Sequence, residues 1–549
     1  MDTDRVLRSL GKFGRFQLLQ YIYNLSCFPM MAFPIVIYVF IGHIPDFRCS
    51  SFEDDASYTN RKLNPSHNVI FQYHQCDVTV TTNLSGTVVE ETVPCRAGFE
   101  FSGQQTVASE WELVCENEGL GGMTTTVLVI GQMVGASVFP TLADKHGRLL
   151  IAYTTLMAVT VCFLLTAIVP WFAGFVVMRF LMGMFSQGPG IVLPTLGLEL
   201  FPTELRGFVI SSGTVAWALS LSIIPVVAFF LRHVTWRYMM GAAAVFGIHS
   251  FFTKWFLHES PRWLLANNKF DQAKLWIQKA AKCNKKDPAC LLSELDSIKE
   301  NAERELLLEK NNDVIPEQTA EMAGKLEEMM DSESTQVSVL EIFRHKHLLV
   351  PSLVVWMLWF VSSLTYYGLF LTSGTMSGNM YLNFFLNSVV EIPSVILYSL
   401  TINRWGRRKT CAMFLSTAGV SLLLSGVLAF VGESGMIKGF AMTLSFTGKF
   451  GISGAWMAAC LFTPEIYPTN IRARGLGLAS LAARVGGMIS PYATMFGSRF
   501  PWGPPVVFGS CAVLVTILLI WIPETTGKEL PNTVEDVKRL YTVKQIRSN

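Results

Sequence analysis

An all-α membrane protein is the fold class this sequence predicts, with twelve transmembrane helices arranged as two six-helix repeats, and three observations predict it. The first is composition: of 549 residues, 51% are hydrophobic and 15% charged, whereas soluble domains carry about 25% charge. The second is the recurrence of apolar runs long enough to cross about 30 Å of hydrocarbon. The third is a phrase written twice: ELFPTELR (Glu199–Arg206) and EIYPTNIR (Glu465–Arg472) share Glu, Pro, Thr and Arg in register.

Taken in chain order, the apolar runs cover 20–42, 122–143, 150–170, 173–197, 208–230 and 238–257 in the first half, and 348–371, 379–401, 411–431, 438–461, 474–496 and 503–522 in the second. Residues 1–19 are polar, and the run that follows has no small-residue cleavage site, so it reads as an uncleaved anchor. Both termini then share one side. The loop NRWGRRKT (Asn403–Thr410) holds four basic residues, and basic loops face the cytoplasm. Residues 43–121 therefore lie outside, with twelve acidic residues against four basic. Cys49, Cys76, Cys95 and Cys115 within them are expected to form two disulfides, with three pairings open. Asn83, in the sequon NLS, is the expected glycosylation site; the same triplet at Asn24 lies inside the first run and is set aside. Residues 258–347 read as a cytoplasmic linker of short charged helices, and 523–549 as the cytoplasmic C-terminus. Ser332 and Ser334 in DSEST are candidate regulatory positions, against the plainer reading of a solvated tether.

The duplicated phrase has companions. ADKHGR (Ala143–Arg148) follows the second run and INRWGRR (Ile402–Arg408) the eighth. HESPRWL begins at His258 after the sixth run and PETTG at Pro523 after the twelfth. MRFLMG puts Arg179 in the fourth run where GKFGIS puts Lys449 in the tenth. The chain thus reads as a six-helix unit duplicated in parallel, 20–257 and 348–522, and a cleft between such halves opens to either side as they rock. Charged turns kept in both copies are candidate gates: Asp144 with Arg148, Glu199 with Arg206, and Glu465 with Arg472, together with Arg407. The competing reading is that these charges only anchor topology. Arg179 and Lys449, related by the repeat, are assigned to gating or architecture rather than to substrate choice.

The DKHGR and NRWGRR turns are similar to the signature of the major facilitator superfamily. Together with the long Cys-bearing first loop, SEWELVC (Ser109–Cys115), ESPRWLL, ELFPTELRG, EIYPTNIR and PETTGKELPNT, they resemble solute carrier family 22, the organic cation, carnitine and organic anion transporters. The likeness spans nearly the whole chain. It departs from the superfamily pattern at Pro140, where Gly is usual, and at Asn403, which replaces Asp in the second copy. The resemblance implies a plasma-membrane secondary transporter with the major facilitator fold.

Ionisable groups inside membrane spans cost about 2.5–3.5 kcal/mol each on insertion scales and are functional candidates by default. Arg484, among small neighbours in LASLAARVGGMISPY, can grip a carboxylate bidentately. In the resembling family the matched position carries Arg in anion and carnitine transporters and an acid in vertebrate cation transporters. Glu391, just before Pro393, would face a cationic head group, or pair with Arg484 when no substrate is bound; an acid there resembles the cation and carnitine members. Trp217, Trp359 and, by resemblance, Tyr367 complete the substrate-binding set, since aromatic faces attract quaternary ammonium groups. Ordinary packing is the plainer alternative for each ring, as for Tyr366 and Trp456.

The resulting expectation is a carrier of small organic ions working by alternating access, with organic cations or carnitine-like zwitterions foremost. Glu391 would meet the ammonium and Arg484 the carboxylate. An organic anion exchanger anchored by Arg484 is the second reading, and a non-transporting receptor or scaffold on the same fold the third. The expected partners are the substrate and the lipid bilayer, with a coupling ion left open. No nucleic acid, metal or cofactor is expected, and no nucleophile, base and orienting residue combine in the spans to suggest an enzyme.

Overall fold

With no water in the hydrocarbon to satisfy backbone groups, a spanning segment must satisfy them internally, and each of the twelve apolar runs folds as helix. The computed structural model describes residues 3–50, 69–84, 87–95, 98–311, 340–374, 376, 378–432, 434–469, 471–528, 531, 535 and 537–538; Ser332 and Ser334 lie outside them. Among the described residues, eight helices are long and apolar enough to cross unaided, namely the second to fifth, seventh to ninth and twelfth spans. The remaining four are broken or carry charge. The first runs as Arg15–Ser26, Pro29–Val36 and Tyr38–Ile41, the sixth as Trp236–Gly247 followed by a 3-10 stretch and Thr253–Phe256, and the eleventh as Arg472–Ile489 and Tyr492–Arg499. The tenth, Gly435–Ile466, is continuous but holds Lys438, Lys449 and Glu465.

Prolines account for most of the breaks. Pro29 starts the second piece of the first span, and Pro491 separates the two parts of the eleventh. The eighth span bends between Met380–Val389 and Glu391–Thr401, because Pro393 has no N–H to give the carbonyl one turn earlier. Glu391 therefore opens a helical segment, where the dipole favours a carboxylate.

Small residues set the closest helix approaches. The second span, Glu118–His146, lies on the fourth, Phe172–Glu199. A Cβ at Gly131 would stand 2.1 Å from the Phe180 carbonyl oxygen, and one at Gly183 2.0 Å from that of Leu128. Each half has its own apolar core, one around Leu128, Phe163, Phe175 and Trp236, the other around Leu358, Phe414, Phe462 and Phe508. A third cluster joins helix Thr3–Ser9 (Val6, Leu7) to helix Phe270–Asn284 (Trp276, Ala280), and Asp4 pairs with Arg262.

The segment between the first two spans departs from the helical pattern, and no strand was expected in it. β1 (Phe47–Cys49) pairs antiparallel with β5 (Phe99–Phe101), and β2 (Val69–Tyr73), β3 (Asp77–Leu84) and β4 (Thr87–Pro94) form a meander. The β-branched residues of DVTVTTNL and TVVEETVP suit pleated surface. Of the three pairings open, the structure has Cys49–Cys95 and Cys76–Cys115; Asn83 lies on β3. This disulfide domain is held by the first half. The Gln104 side chain donates to the Val234 carbonyl (2.8 Å), the Trp236 N–H to the Gln105 carbonyl (3.1 Å), and the Trp236 indole to Glu110 (2.6 Å). Arg237 also pairs with Glu110, and the Trp111 ring packs on Phe172 and Phe175.

Candidate functional site

At the end of the bundle away from the disulfide domain, the turns between spans two and three and between eight and nine pass through Gly147 (φ +106) and Gly406 (φ +95), a conformation that L side chains rarely adopt. Each turn exposes the first N–H groups of the next helix, and a carboxylate from beyond the half's last span receives them. Glu259 accepts from the N–H groups of Arg148 (3.1 Å) and Leu149 (3.0 Å), and Glu524 from those of Arg407 (2.8 Å) and Arg408 (3.2 Å). Burial works to raise the Glu524 carboxyl, but the Thr526 hydroxyl and the N–H groups of Arg408, Arg407 and Thr526 donate to it and hold it below the ordinary carboxylate value.

Of the three expected pairs, Asp144 with Arg148 is present and the other two are exchanged for new partners. Arg148 pairs with Glu199 and stands 3.7 Å from Asp144, and Arg407 lies 3.2 Å from Glu465. Glu199 thus turns to Arg148 rather than to Arg206, which is exposed. Arg472 donates to the Tyr467 carbonyl (3.3 Å) and the Thr469 hydroxyl (3.4 Å) rather than to Glu465. The reason is geometric: each glutamate ends its helix facing the neighbouring glycine turn, while Arg206 and Arg472 begin the next span. Both ion clusters are internal to one half.

Between the halves lies a cavity of about 580 Å³. Arg484, Glu391, Tyr367, Trp217 and Trp359 all line it. Its wall continues through Tyr21, Leu198, Ile210, Tyr398 and Cys460 toward the charged turns. Toward the disulfide domain, rings from both halves meet: Phe40 against Tyr381 (5.7 Å between centroids) and Phe384 (5.0 Å), and Phe229 against Tyr381 (5.7 Å).

Two hydrogen bonds cross the cavity. Arg484 Nη2 donates to Gln187 Oε1 (2.9 Å), and the Trp217 indole to the Tyr366 hydroxyl (2.9 Å). Trp359 instead donates within its own half, to Thr463 Oγ1 (2.8 Å), and packs on Trp456. Glu391 does not pair with Arg484. Lys449 Nζ lies 2.9 Å from Glu391 Oε1, at ion-pair distance but off the hydrogen-bonding direction, with both groups at most 3% exposed. The same ammonium sits 3.1 Å from the Tyr366 ring centroid and 3.8 Å from that of Phe370. Lys449 is thus in ion-pair contact with a cavity carboxylate, although it does not itself line the cavity. Its repeat counterpart, Arg179, also lies off the cavity wall. It is fully buried, donates to the Pro34 carbonyl (2.7 Å) and faces the Tyr38 ring (5.4 Å).

Sequence reasoning does not single out Gln187, Gln132, Thr125 or Ser453. Gln187 carries a signal, since an amide inside the interrupted stretch SQGPG has little reason to be there except to meet a partner. Gln132 Nε2, Thr125 Oγ1 and Ser453 Oγ are buried at the cavity wall with no hydrogen-bond partner among the described residues. Buried polar groups are ordinarily satisfied, so these three are available to a ligand or to water.

The family described as sugar (and other) transporter matches residues 70–536. Solute carrier family 22 member 7 from Rattus norvegicus is 30% identical over 99% of this chain and 99% of its own length. Organic cation/carnitine transporter 2 from Homo sapiens is 26% identical, covering 99% of this chain and 95% of its own. An inward-open conformation of the xylose transporter XylE from E. coli shares the fold, with a TM-score of 0.61 at 14% identity over 95% of this chain and 98% of that one.

Proposed function

The chain belongs to the sugar (and other) transporter family and, within it, to solute carrier family 22, a membrane transporter and not an enzyme; from that premise we propose that it carries small organic ions bearing an anionic group, gripped by Arg484. One observation carries this choice. Arg484 faces the cavity with only the neutral Gln187 amide as hydrogen-bond partner and no carboxylate at ion-pair distance among the described residues, whereas the charge of Glu391 is already met by Lys449. The ionised groups at the cavity therefore sum to a positive site, complementary to a monoanion. This ranks the anion reading above the cation reading expected from sequence.

A second reading keeps a specific support. Glu391, Tyr366, Tyr367, Trp217 and Trp456 all line the cavity, and rings with a carboxylate suit an ammonium. A carnitine-like zwitterion would satisfy both charges if Lys449 released Glu391. In either case we place the charged turns and both termini in the cytoplasm, the disulfide domain outside, and the protein in the plasma membrane. Alternating access then follows from rocking of the halves, with the turn clusters of Arg148, Glu199, Arg407 and Glu465 keeping each half rigid as it moves.

The test is uptake of radiolabelled p-aminohippurate, carnitine and tetraethylammonium by cells expressing wild type or Arg484→Ala at matched surface level. Aminohippurate uptake that disappears with the arginine is the expected result. Tetraethylammonium uptake that survives Arg484→Ala, with no anion carried, would sink the anion reading. Failure to accumulate any of the three would favour a receptor or scaffold.

A further inference from the structure

We propose that Lys449 sets the charge preference of the cavity by acting as a tethered ammonium that occupies, from behind, the pocket a substrate's own ammonium would need. The inference deepens the reading of Arg484 as the anchor and rests on it. A carboxylate flanked by ring faces is the chemistry that recognises an ammonium ion. That chemistry is built from Glu391, Tyr366 and Phe370, all of which line the cavity. Its occupant is the Lys449 ammonium, 2.9 Å from the carboxylate oxygen and 3.1 and 3.8 Å from the two ring centroids.

The tether cannot easily withdraw. The tenth span is pressed against the ninth: a Cβ at Gly448 would meet Leu422 at 2.6 Å, and one at Gly451 the Phe414 carbonyl oxygen at 2.6 Å. Lys449 is fully buried, and removing one partner of a buried pair leaves the other charge uncompensated. With the lysine in place Glu391 is neutralised and Arg484 decides the sign of the substrate. Without it, the carboxylate faces the cavity unopposed and a soluble cation or zwitterion takes the lysine's position.

Lys449→Met, Lys449→Arg, Glu391→Gln and the double variant Lys449→Met/Glu391→Gln, all in the full-length protein, test this by two readouts. One is the ratio of p-aminohippurate to tetraethylammonium uptake at matched surface expression, and the other is the melting temperature of purified protein with and without tetraethylammonium. In Lys449→Met the ratio falls by about tenfold or more, and tetraethylammonium raises the melting temperature while leaving wild type unmoved. The double variant returns the ratio toward wild type and is blind to tetraethylammonium, and Lys449→Arg retains the wild-type direction of preference. Equal ratios in wild type, Lys449→Met and the double variant would overturn the proposal, as would equal stabilisation of wild type and Lys449→Met by the cation. If Lys449→Met does not fold, Glu391→Gln carries the test in reverse: anion binding tightens, and no change counts against the proposal. Aminohippurate uptake that survives Arg484→Ala would sink the anchor reading alone, because the change in ratio between wild type and Lys449→Met is measured separately.

Discussion

In the first half Arg148 reaches Glu199 while Glu259 caps the third span; in the second Arg407 reaches Glu465 while Glu524 caps the ninth. At the midplane the copies part. Arg179 meets a carbonyl and a ring, with Nε and Nη2 left without a hydrogen-bond partner among the described residues, and Lys449 meets a carboxylate and two rings. The difference teaches where duplication constrains a protein. Holding a helix start at a tight turn is a task both halves share, and the residues that do it stay alike. Meeting an asymmetric ligand is not shared, and there equivalent positions take different partners.

The comparison can be broken most directly at its point of divergence. Lys449→Met strands a buried carboxylate and is expected to destabilise the protein by about 3–5 kcal/mol, whereas Arg179→Met leaves only a carbonyl unpaired, about 1–3 kcal/mol. Thermal or denaturant unfolding in detergent reads both, and equal losses would mean the two cations do the same work. The shared device is sharpened by Glu259→Gln and Glu524→Gln, each expected to cost about 1–2 kcal/mol by weakening a helix cap; a loss confined to one half would contradict the symmetry.

For Glu524 the pH dependence has a definite sign. Its carboxyl is held below the ordinary value of 4.5, so its stabilisation is complete above that value and is lost as pH falls through the lower folded-state value. Melting temperature measured below pH 4.5 therefore drops more steeply in wild type than in Glu524→Gln. The smallest expected effect is at Trp217→Phe, which removes the bond to Tyr366 between the halves, about 1 kcal/mol. That bond is made in the conformation whose cavity reaches Cys460, so alkylation of Cys460, followed by mass spectrometry, should slow about fivefold.

The spans and their duplication were legible because bilayer thickness and backbone satisfaction leave few alternatives, and because the repeated phrases stand in register. Which residues would line a cavity was also readable, since Arg484, Glu391 and Trp217 sit where an ordinary span would hold apolar side chains. Partner choice was not. Glu199 has Arg206 seven residues away in sequence and Arg148 fifty-one away, and only the direction of the helix end decides between them. Likewise Glu391 and Arg484 looked like a pair because both are charged and deep, but Lys449 is the one on a helix face that reaches the carboxylate. The β-meander is signalled only by the β-branched content of DVTVTTNL and TVVEETVP, a pattern that suits pleated surface and that charge and cysteine content do not reveal.

The disulfide domain is fastened through Gln104, Gln105, Glu110 and Trp111 to the first half, and Cys115 stands just before the helix that begins at Glu118. In the rocking motion proposed above it would travel with that half. An antibody fragment locked onto it would serve as a fiducial in single-particle images, reporting how far that half turns while leaving the other free to move.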